Sequence, residues 1–255
     1  MTSTDTAPTR TAAGSAPSAF PARFVLAIAA LFLAVGTLLY MGAISRLLWP
    51  EAVSEAGFLS FGRLLPVATG LLTGWLLLAA VGAACYVLPR IGGGPLHRIT
   101  GAAFGLVMIG ILVGVASVAT GAGEGGRYLE GPWYGEAILA VGLLLAAVAV
   151  TRSARAAGDL PIAGWFFVGA LWWAFAAAAV AAVPGLEGIP AALQSRFAAT
   201  VLTGLVPIAA GLGAVYYLVG RLVPDASFHP RLGPIGFWSL GFSWLWLGPA
   251  TLQFG

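Results

Sequence analysis

The chain of 255 residues contains no lysine: its twelve basic residues are all arginine, set against nine acids. Charged residues of either sign make up 8% of the sequence, where soluble domains average about 25%. So little charge cannot keep a protein of this length in water, which excludes an ordinary soluble domain. The arginines form no cluster, so the net charge of +3 does not mark a nucleic-acid surface. Cysteine occurs once, at Cys85 inside an apolar run. That excludes an intrachain disulfide and marks a small packing residue rather than a reactive thiol. Histidine occurs twice, at His97 and His229, with only Asp225 at hand as a further ligand. Two imidazoles in separate loops are too few for a metal site of their own.

What is abundant is apolar. Hydrophobic residues make up 60% of the chain, and seven segments approach or exceed the roughly 20 apolar residues that a spanning helix needs. They run from Phe24 to Leu48, Leu64 to Leu88, Ile99 to Thr120, Gly135 to Val150, Pro161 to Val183, Phe197 to Val219 and Pro234 to Phe254. The fourth is short, and Pro132 and Trp133 extend it at the interface. Gly- and Pro-rich breaks separate the segments, among them GGGP at 92–95, GAGEGG at 121–126, VPGLEGIP at 183–190 and VPDASFHP at 223–230. Backbone groups in hydrocarbon must satisfy one another, and no period-two alternation points to a barrel, so the spans are read as helices. The predicted fold is an all-α integral membrane bundle of about seven helices over residues 24–255. The Ser-, Thr-, Ala- and Pro-rich residues 1–23 are read as a disordered cytoplasmic tail. The apolar stretch behind them is too long for the core of a signal peptide.

Arginine placement gives the orientation. Eight arginines fall in the N-terminal tail and the second, fourth and sixth loops; Arg46, Arg63, Arg127 and Arg196 fall in the others, with most of the acids. This predicts a cytoplasmic N-terminus in the inner (cytoplasmic) membrane and a C-terminus on the outer side. The spans hold almost nothing ionisable, which argues against a proton pump or an ion-coupled transporter built from this chain alone. Trp75, Trp172, Trp173, Trp244 and Trp246 are read as packing or lipid-facing residues. Glycines four apart, Gly70 and Gly74, Gly101 and Gly105, Gly110 and Gly114, would let helices approach closely.

One passage repeats. GAACYVLPRI at 82–91 is echoed by GAVYYLVGRL at 213–222, each downstream of a Thr-Gly-Leu that begins at Thr69 or Thr203. Duplicated helix pairs explain the echo; so do the shared demands of two helix ends.

The same stretches carry a family resemblance. FGRLLPVATGLLTGWLLLAAVGAACYVLPRIGGGPL (61–96), RYLEGPWYGE (127–136), GAVYYLVGRL and HPRLGPIGFWSLGFSWLWLGP (229–249) occur in order and at matching spacing. Together they resemble the first half of subunit I in the heme-copper oxidase superfamily, in its cbb-type cytochrome c oxidase and nitric oxide reductase branches. The resemblance implies a redox membrane complex with further subunits in the bilayer. It also implies histidine ligands for two hemes and a copper. The heme-ligand position shortly after Arg-Leu-x-Pro falls on Ala68. A copper-ligand position on the sixth helix falls on Thr200, and the His-His pair expected after Trp-x-Gly-Pro falls on Ala250 and Thr251. A methyl group or a hydroxyl replaces imidazole at each. No heme or copper site is therefore expected, and no catalytic residue is assigned.

Two polar features remain. Glu124, Glu130 and Glu136 could form a polar surface cluster near the outer face, able at most to attract a cation. Arg63, which opens the second span, is expected to be an interfacial anchor or a partner for Glu51 or Glu55. Three functions follow: a non-catalytic accessory, structural or assembly subunit of a respiratory or other redox complex; the N-terminal portion or split half of an oxidase or nitric oxide reductase; or a transporter or sensor that holds an apolar molecule in a vacated heme cavity.

Overall fold

The computed structural model describes residues 22–49, 60–96, 99–122, 131–223 and 232–250, with side chains in the last stretch described as far as Trp244. Among them there are eight α-helices and no strand. They are α1 (Ala22–Leu48), α2 (Phe61–Val87), α3 (Ile99–Thr120), α4 (Trp133–Arg155), α5 (Ile162–Ala181), α6 (Ile189–Thr200), α7 (Val206–Leu222) and α8 (Leu232–Ala250). A 3-10 turn, Leu88–Ile91, extends α2, and a π-helical turn, Val201–Leu205, joins α6 to α7. The chain is an all-α, multi-pass membrane protein.

Among the described residues, six segments are long and apolar enough to cross a bilayer: Ala22–Leu48, Phe61–Ile91, Ile99–Thr120, Trp133–Arg155, Ile162–Ala181 and Ile189–Leu222. The seventh expected span coincides with α8, a 19-residue helix that is not among these six. The fourth span proves longer than its apolar run. Pro132, in extended conformation at φ −67° and ψ 148°, caps α4, and the helix continues past Val150 through Arg152 and Arg155. Cations in a last turn face the negative end of the helix dipole, which favours that extension. The sixth span starts eight residues before Phe197, at Ile189, because Pro190 falls in the first turn, where a missing N–H costs nothing.

α2 is the hub. It touches α1, α3, α4, α5 and α7, and two-thirds of its apolar stretch is buried, whereas α1 packs mainly on α2 and turns most of its surface outward. Because lipid is as apolar as leucine, burial gives little drive for helices to associate, and close backbone approach must supply the attraction. Glycine provides it. A Cβ on Gly74 would stand 2.9 Å from Ile111, and one on Gly70 would stand 3.2 Å from Val115, both on α3. Gly110 and Gly142 bring α3 and α4 close enough for Cβ atoms there to meet backbone at 2.7 Å and 2.6 Å. Gly105 faces open space, so the Gly101–Gly105 spacing has no such contact at its second member.

The two threonine hydroxyls of α2 are satisfied within their own helix, whereas the buried Thr100 hydroxyl at the start of α3 has no hydrogen-bond partner among the described residues. Pro66 interrupts the amide ladder of α2, and beyond it the Thr69 hydroxyl donates to the Pro66 carbonyl (3.0 Å) and the Thr73 hydroxyl to the Thr69 carbonyl (2.9 Å). The GGGP break is anchored to α4. The Gly94 amide donates to the Ser153 carbonyl at 2.8 Å, and the Ser153 hydroxyl donates to the Gly94 carbonyl at 2.6 Å. Gly92, at φ 98°, takes the left-handed conformation that stops the 3-10 turn.

Candidate functional site

Ala68 lies in the second turn of α2 and is wholly buried. One turn further on, the approach of Gly70 and Gly74 to Val115 and Ile111 leaves a crevice of about 40 Å³ between α2, α3 and α4, room for a few water molecules. Pro66, Thr73, Gly110, Gly114 and Glu136 are among its walls.

Glu136 therefore does not stand at a surface. It occupies the first turn of α4 and is only 8% exposed. A carboxylate in a first turn is favoured by the helix dipole. Glu124 and Glu130 lie outside the described residues. Arg63 is exposed at the start of α2 and turns toward the far end of α3: a Cβ on Gly121 would stand 3.2 Å from its Nη2. Gly121, at φ 89°, follows the last turn of α3, where unpaired carbonyls carry partial negative charge. Arg63 is thus placed to stabilise that helix end; Glu51 and Glu55 lie outside the described residues.

Thr200 ends α6, half-buried, and the π-helical turn begins at the next residue. Within that turn the Val206 amide reaches back five residues to the Val201 carbonyl. Pro207 explains the widening, because its ring would otherwise crowd the carbonyl four residues back. Single π turns are frequent at functional sites. Ala250 is the last residue of α8, with its side chain outside the described set; Thr251, His97 and His229 also lie outside it. Among the described residues no three His, Cys, Asp or Glu side chains gather in one place.

Donor chemistry at the two described family positions is clear. Ala68 has no lone pair, and an alcohol such as that of Thr200 is a poor substitute for the neutral imidazole that heme iron and copper favour.

Sequence reading missed three polar or aromatic arrangements: the Gly94–Ser153 clasp, the aromatic cluster around Phe237, and the meeting of Arg90 with Arg221 at one cavity. Only the last had a signal, the echoed Tyr-x-x-x-Arg.

No protein-family profile matches the chain. It is similar to a cytochrome c oxidase subunit 1 homolog of Agrobacterium tumefaciens (strain T37), 25% identical over 244 residues, a match that covers 86% of the chain. The chain spans 44% of the length of that relative. Helices and similarity together support an oxidase-like membrane protein.

Proposed function

We propose that the chain is a non-catalytic membrane subunit, an accessory, structural or assembly partner in a respiratory or other redox complex, and that it binds neither heme nor copper itself. It resides in the inner membrane with its N-terminus in the cytoplasm and associates there with other membrane subunits. The observation that carries this reading is Ala68, wholly buried at the position where the resemblance calls for a heme-ligating histidine. The close approach of α2 to α3 beside it is consistent with a scaffold held by helix packing.

The test is a pyridine hemochrome assay, with copper measured by elemental mass spectrometry, on full-length protein purified from membranes. Substoichiometric heme and copper together with co-purifying membrane subunits are expected. A Soret band with near-stoichiometric heme would overturn the reading in favour of an oxidase-like catalytic subunit. Metal-free protein that purifies alone would instead favour the transporter or sensor reading.

A further inference from the structure

The two copies of the internal echo meet. Arg90 and Arg221 are equivalent residues of GAACYVLPRI and GAVYYLVGRL, and both line one cavity of about 490 Å³. It opens at the end of the bundle where α2 and α7 finish and α5 and α8 begin. Each arginine is steadied by the tyrosine one turn before it. The Arg90 guanidinium carbon lies 3.6 Å from the centre of the Tyr86 ring, and Nη1 donates to the Tyr86 carbonyl. The Arg221 guanidinium carbon lies 5.7 Å from the Tyr217 ring centre. A guanidinium has five N–H donors, so one carbonyl contact leaves most of those on Arg90 for a ligand. Capping a helix end would explain either arginine alone; it does not explain why both border the same space.

Among the described residues that line this mouth, the other ionisable groups are Asp159, Tyr216 and Tyr217. Among them two guanidinium groups outnumber one carboxylate, a lining that attracts an anion such as a phosphodiester. Leu160 and Trp165 are shared with a second cavity of about 450 Å³, walled mainly by Trp172, Trp173, Phe237 and Trp238, with Arg155 as its charged residue. Gly169 leaves the room that Phe237 occupies there. A cationic mouth that borders an aromatic cleft has the polarity of an amphiphile with an anionic head.

We propose that these adjoining cavities bind an anionic glycerophospholipid, its phosphodiester at Arg90 and Arg221 and one acyl chain passing Leu160 and Trp165 into the aromatic cleft. Basic pockets between membrane helices commonly hold such headgroups. Each cavity also lies within the range of about 300–1,000 Å³ usual for small-molecule sites.

The test is native mass spectrometry of the full chain in detergent, titrated with dioleoyl phosphatidylglycerol or dioleoyl phosphatidylcholine. Wild-type protein is expected to retain phosphatidylglycerol preferentially. The double variant Arg90→Gln/Arg221→Gln should lose about thirtyfold in its affinity for that lipid, about fivefold per arginine. Arg152→Gln, at the same end but outside both cavities, should behave as wild type. Asp159→Asn removes the opposing charge and should tighten phosphatidylglycerol binding, which keeps the proposal testable if the double variant does not fold. Equal retention of the two lipids, an unaffected double variant, or an unresponsive Asp159→Asn would each overturn it. Full competition by millimolar inorganic phosphate would also overturn it, showing a free-anion site instead.

Discussion

Gly110 of α3 lies against the backbone of α4, so close that a Cβ on it would stand 2.7 Å from the Leu139 amide nitrogen. Backbone cannot rotate out of the way as a side chain can. Gly110→Ala must therefore push α3 and α4 apart, and overpacking of this kind costs about 1–3 kcal/mol. Thermal unfolding in detergent should show a lowered midpoint. Gly105→Ala, one and a half turns earlier and facing open space, should leave the midpoint unchanged or raise it slightly.

Gln194 on α6 closes the end of α5. Its Nε2 lies within hydrogen-bond distance of the carbonyls of Val180 (2.7 Å), Ala181 (3.0 Å) and Val183 (2.9 Å), which share its two N–H donors. Val180 and Ala181 lie in the last turn of α5, where amide partners run short; the Val180 carbonyl also accepts from the Val183 amide at 3.2 Å. Gln194→Ala is expected to cost about 1 kcal/mol, because water at this exposed end recovers part of the loss. Hydrogen exchange should quicken at the end of α5 while α2 keeps its protection. Gln194→Glu keeps the length but loses the amide donor, and should match the alanine variant at neutral pH.

Phe237 is the keystone of an aromatic cluster. It stacks on Trp173 with ring centres 4.9 Å apart and meets Phe166 edge-on at 5.5 Å and Trp165 at 6.0 Å. Only 6% of its surface is exposed. Phe237→Ala should cost about 3–5 kcal/mol. It should also change the near-ultraviolet circular dichroism, which reports tryptophan packing, with little effect on helix content.

Cys85 is buried in α2, 2% exposed. N-ethylmaleimide should leave it unmodified in the folded protein and label it fully in dodecyl sulfate, as read by intact-mass measurement. Rapid labelling of native protein would show that α2 does not occupy the centre of the bundle.

The membrane class and most of the spans were legible because a bilayer imposes a length and a polarity that any apolar run must display. Helix ends were harder. Pro190 reads as a breaker in sequence, yet in a first turn it is compatible with helix, so α6 begins inside the expected loop. Glycine spacing identified Gly110 and Gly114 but could not say which face Gly105 presents, because that depends on where the neighbouring helix lies. Glu136 looked like a surface acid because its neighbours in sequence are turn residues; the first turn of α4 carries it inward. The shared cavity of Arg90 and Arg221 could not be read from sequence, since two matching motifs 131 positions apart do not say where their helices meet.

The π-helical turn at Val201–Leu205 has a rotational consequence. In an α-helix each residue advances the angular phase by about 100°. Accommodating one extra residue in a wide turn lets the stretch before it and the stretch after it face directions that a regular helix could not combine. Thr200 belongs to one phase, Tyr216 and Arg221 to the other. Removing a single residue from that turn would rotate α7 about its axis while α6 stayed fixed, carrying Arg221 away from Arg90. The wide turn before Pro207 thus sets the aim of a side chain about four turns further along the helix.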